Sequence, residues 1–67
     1  MTASELHTQL RELQAERALA HDTGVADIPS YMDDLERDIA RSHAAFVGAA
    51  VTEIATLRGQ LSGRLVG

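Results

Sequence analysis

The chain has 67 residues, a formal charge of −4 and no cysteine. A chain this short buries only about 60% of the surface its unfolded form exposes, so a lone core is marginal, and the absence of thiols removes both disulfides and thiolate metal sites as reinforcement. The acidic balance argues against nucleic acid or an anionic membrane as the main partner, because both reward a basic patch. Metal binding by His and carboxylates or association with another chain remains as the means of support, and the sequence points to the second.

The N-terminal segment "MTASELHTQLRELQ" is polar and acidic. With no apolar run it does not resemble a secretory signal, and a cytoplasmic location is expected. Thr2 followed by Glu5 is a capping-box pattern, in which each residue satisfies a free N–H of the other at a helix start. Leu6, Leu10, Leu13 and Ala20 then recur on one helical face, with Arg17 in the same stripe. Arg17 is expected to pack its stem and carry its charge to water, or to an acid of the second helix. Gly24 suits a left-handed C-terminal cap. The first helix is therefore expected over about residues 3–23. The break "HDTGVADIPS" is punctuated by Gly24 and Pro29, which predicts a loop over 24–29.

Ser30 followed by Asp33 repeats the capping-box pattern, and Asp33, Asp34 and Glu36 load the first turns with charge that complements the helix dipole. No further proline follows, so the second helix is expected over about 30–64, with Gly59 after Arg58 as an earlier possible stop. Its large apolar positions are Met32, Leu35, Ile39, His43, Phe46, Ala50, Ile54, Leu57, Leu61 and Leu65, and their steps follow an eleven-residue repeat. Such a repeat gives a nearly straight or slightly right-handed coiled-coil seam. The opposite face holds Ala44, Ala45, Gly48, Ala49, Thr52, Ala55, Gly59, Ser62 and Gly63, all small, where a solvated face carries charged residues. Glycine inside a helix costs about 1 kcal/mol relative to alanine, so close approach of a second backbone is expected there. All six basic residues are arginine and alanine is abundant, a composition that points to a GC-rich, bacterial source.

At 1.5 Å per residue the two helices are about 32 and 52 Å long. In an antiparallel hairpin the first can cover the second only to about Ala49 or Ala50. Val51, Ile54, Leu57, Leu61 and Leu65 are left without an intrachain partner, and a continuous exposed stripe of that kind marks an interaction site. The expected architecture is an all-α, single-domain helical hairpin over 1–67 with a longer second helix, dimerising into a four-helix bundle. Its interface is expected from Met32, Leu35, Ile39, His43, Phe46, Gly48, Ala50, Val51, Ile54, Ala55, Leu57, Gly59, Leu61 and Leu65.

Catalysis finds no support. Ser42 and His43 are adjacent on a helix and point about 100° apart, so they cannot act as nucleophile and base. None of the glutamates precedes a histidine by three positions, the spacing of a di-iron bundle, and His-Glu-x-x-His is absent. His7 and His21 are expected to be exposed. His43, at a seam position, is read first as a core histidine satisfied by a neighbouring carboxylate or carbonyl, and second as a pH or ligand switch. The expected function is a non-enzymatic protein–protein interaction module that self-associates, acting as a small regulator, adaptor or assembly subunit. It is expected to need no cofactor or metal, to bind neither nucleic acid nor membrane, and to engage another protein. The alternatives are a small subunit of a hetero-complex whose C-terminal half is ordered by its partner, or a bundle that binds a small ligand.

Overall fold

The computed structural model describes the backbone of residues 1–66 and the side chains of residues 1–61. It is all-α: helix α1 spans Ala3–Thr23, a short 3-10 turn spans Val25–Asp27, and helix α2 spans Pro29–Val66, with no strand among the described residues. Thr2 caps α1 reciprocally. Its hydroxyl accepts from the Glu5 N–H at 3.2 Å, and its own N–H donates to Glu5 Oε1 at 3.0 Å. Gly24 ends α1 in the left-handed region with φ 82°, a conformation in which a side chain is strained.

The second helix begins one residue earlier than Ser30 suggests. Ile28 is extended, with φ −95° and ψ 104°, as the residue before a proline must usually be. Its carbonyl accepts the Met32 N–H at 3.1 Å, so Pro29 takes the first helical position. Proline is favoured there because its missing N–H has no helical partner to lose. Ser30 thus lies inside the first turn rather than capping it. At the other end α2 runs through Gly59 without stopping and continues to Val66.

α1 lies against the N-terminal half of α2, with Glu16 and Arg17 meeting residues near the start of α2 and Ala3 meeting Glu53. Near the turn the Tyr31 hydroxyl donates to Glu16 Oε1 at 2.8 Å. In the middle Arg17 Nη1 meets Glu36 Oε2 at 3.3 Å. At the open end the Ala3 N–H donates to Glu53 Oε2 at 2.7 Å. Between them Leu10, Leu35 and Ile39 form the core, flanked by Leu13, Tyr31, Met32 and Phe46, and Ala20 is buried nearer the turn. Three large buried side chains make a small core. The molecule measures 60 × 16 × 13 Å along its principal axes, and its length is that of α2 alone, because 38 residues of helix rise about 57 Å.

Candidate interaction surface

The face of α1 against α2 consists of Ala3, Leu6, Leu10, Leu13, Arg17 and Ala20, each buried or half-buried. The expected stripe is therefore the packed one. On α2 the matching strip is Met32, Leu35, Ile39, Ser42, Phe46 and Ala49, again buried or half-buried. Both strips step alternately by three and four residues, the seven-residue spacing of helices that wrap about each other. The eleven-residue spacing read from the sequence departs from this strip at His43. That side chain is exposed and Ser42 takes the inward position, so His43 is not a core histidine within the chain.

A second strip with the same spacing runs beside the first: His43, Val47, Ala50, Ile54, Leu57 and Leu61. The eleven-residue pattern is a diagonal that crosses from one strip to the other. Of the expected interface residues, Leu35 and Ile39 are buried against α1, while Met32, Phe46 and Ala50 are half-buried. His43, Gly48, Val51, Ile54, Ala55, Leu57, Gly59 and Leu61 are exposed, and the Leu65 side chain lies outside the described residues. Every residue from Val51 to Leu61 is exposed, with Val51 at 60%, Ile54 at 55%, Leu57 at 56% and Leu61 at 54% of full accessibility, preceded by Val47 at 44%. Four large apolar side chains in three turns of helix, each more than half open, are an unpartnered surface.

Of the small-residue face opposite, Ala49 is half-buried against α1, Ala44, Ala45, Gly48, Thr52, Ala55 and Gly59 are exposed, and Ser62 and Gly63 lie beyond the residues whose side chains are described. A Cβ added at Gly48 or at Gly59 would meet nothing within 4 Å, so no close approach within the chain accounts for those glycines. Among the described residues, Thr52 on this face and Thr56 beside it turn their hydroxyls onto the helix's own backbone. Thr52 donates to the Gly48 carbonyl and Thr56 to the Thr52 carbonyl, each at 2.9 Å, which removes donors from the surface.

The polar groups serve the joint between the helices. Arg17, half-buried, sends its guanidinium to both oxygens of Glu36, at 3.3 and 3.5 Å, the acid of α2 it was expected to find. Glu53, the single acid of residues 39–67, spends a carboxylate oxygen on the first turn of α1, where a free N–H and the positive end of the helix dipole favour it. The length arithmetic foresaw that α1 ends near this level, but nothing in local spacing marks Glu53 as its partner. The N–H of Thr2, then its hydroxyl, hold the Glu5 carboxyl below the usual carboxylate range. The hydrogen bond to Glu16 raises the Tyr31 phenol above its ordinary value. His7 is exposed yet lies 5.1 Å, ring centre to ring centre, from Phe46.

Among the described residues no three of His, Asp and Glu gather as metal ligands, and no helix is long and apolar enough to cross a membrane. Comparison with family models, with curated proteins and with solved structures found no match to this chain.

Proposed function

We propose that this chain is a helical hairpin that self-associates through the second half of α2, forming a four-helix dimer, and that it works as a non-enzymatic interaction module: a regulator, adaptor or assembly subunit. One observation carries the reading. The large apolar side chains Val47, Val51, Ile54, Leu57 and Leu61 are all exposed, and the hairpin that should support them has a core of three large side chains. Association covers the stripe and enlarges the core in one step. Burying a leucine or isoleucine is worth about 1.5–3 kcal/mol, so Ile54, Leu57 and Leu61 together supply several kcal/mol even after exposure is only partly removed.

Sedimentation equilibrium of the wild type, Leu57→Asp and a chain truncated after Val51 tests the proposal. The wild type should be dimeric at micromolar concentration. Both variants should be monomeric and less helical by circular dichroism. A wild type that is monomeric and cooperatively folded at that concentration overturns the self-association and leaves the stripe to a different protein.

A further inference from the structure

Resting on that self-association, we propose that the second copy lies antiparallel along the strip His43–Val47–Ala50–Ile54–Leu57–Leu61. Val47 then packs on the partner's Leu57, Ala50 on the partner's Ile54, and His43 on the partner's Leu61. The two-fold axis passes beside Ala50 and Ile54. Each end of the dimer is a three-helix section built from α1, α2 and the partner's α2 tail.

Three observations lead there. First, the strip keeps seven-residue spacing with steps of 4, 3, 4, 3 and 4, and that order reads the same in reverse. An antiparallel copy therefore meets every position with a position, as knobs-into-holes packing requires. The large side chains face small or medium ones, Ile54 against alanine and Leu57 against valine, so the central layer closes tightly. Second, each residue of the strip follows one of the strip that faces α1 (Ser42 and His43, Phe46 and Val47, Ala49 and Ala50), so the two strips lie about 100° apart round α2 and a second helix can pack beside α1 without displacing it. Glu36, seven residues before His43 on the same side of α2, already touches Arg17, so this side borders α1. The partner's tail would run along that border beside His7 and Phe46.

Third, the charges select the antiparallel arrangement. Residues 54–67 carry Arg58 and Arg64 and no acid. The segments this tail would overlie in that register, 37–50 of α2 and 3–14 of α1, carry Asp38, Glu5 and Glu12 against Arg37, Arg41 and Arg11. Antiparallel pairing sets the cationic tail on a surface with no net charge, whereas parallel pairing lays two cationic tails side by side, a like-charge contact that penalises that orientation. The overlap of 43–61 is about 28 Å long on a helix about 10–12 Å across. With the α1 border it buries on the order of 1,000–1,500 Å² in total, at the lower end of what a stable specific interface needs.

The chain has no cysteine, so disulfide mapping has a clean background. The double variant Val47→Cys/Leu57→Cys should oxidise to a covalent dimer, while Val47→Cys and Leu57→Cys alone should not. Within one chain these positions are ten residues apart, about 15 Å along the helix, so no internal bridge competes. His43→Cys/Leu61→Cys is the second pair, and should cross-link likewise if the first packs poorly. Gly48→Leu, about 140° round the helix from the strip, should leave the dimer mass unchanged. Cross-linking by Leu57→Cys alone indicates a parallel pair and overturns the register while leaving self-association standing. So does a wild-type dimer in which neither pair cross-links, or one that Gly48→Leu dissociates. A monomeric wild type overturns both proposals together.

Discussion

Thr2 shows how much a short chain depends on its ends. Its hydroxyl and N–H close a two-way exchange with Glu5, and the same exchange depresses the Glu5 carboxyl. A carboxylate whose folded value lies below its unfolded value contributes stability above the unfolded value, near pH 4.3. That contribution is lost as pH falls through the folded value. Thr2→Ala should cost about 1 kcal/mol at neutral pH, and it should move the Glu5 titration, followed by carbon-detected NMR, back toward the ordinary range. An unchanged Glu5 titration would mean that the Thr2 hydroxyl adds nothing to the depression beyond its backbone N–H. Arg17 and Glu36 carry less weight: both are nearly half exposed, and a pair of that kind is worth about 0–1 kcal/mol.

Among the elements, the glycines separate into two kinds. Gly24 sits at φ 82° and Gly24→Ala should destabilise the turn, by about 1 kcal/mol. Gly48 and Gly59 sit in regular helix with open space where a Cβ would go, so Gly48→Ala and Gly59→Ala should each raise thermal stability by about 1 kcal/mol. Loss of stability in either alanine variant, measured by thermal unfolding at fixed protein concentration, would show that a second backbone does approach that face. Both helices were legible in the sequence because their apolar spacing is long and uninterrupted, and because Thr2 and Gly24 stand where caps belong. The phase of α2 was not. Two apolar strips run side by side on it, and a single list of large residues joins them into one false seam through His43. The start at Pro29 was also obscured, since Ser30 and Asp33 imitate a cap that the restriction on Ile28 pre-empts.

At the scale of the whole molecule, the contacts between α1 and α2 differ chiefly in how much chain they enclose. Tyr31 and Glu16 are 15 residues apart, Arg17 and Glu36 are 19, and Ala3 and Glu53 are 50. Loop-closure entropy makes the last about 1 kcal/mol harder to form than the first. The helices should therefore zip from the Gly24 turn toward the Ala3 end and open in the reverse order. Amide hydrogen exchange should show protection in α1 decreasing from Ala20 toward Leu6, and uniform protection along α1 would contradict this order.

The Glu53 contact takes on a second meaning in that light. It is the latch at the end that opens first, and it sits at the level where the uncovered stripe begins. When the latch lifts, half-buried Leu6 would leave the face of α2, next to the surface offered to another chain. A visiting helix and the chain's own N-terminal turns would then compete for neighbouring ground. Exchange of α1 between copies would follow from such competition, and the Glu53 contact together with the burial of Leu10 and Ala20 holds the chain's own segment in place.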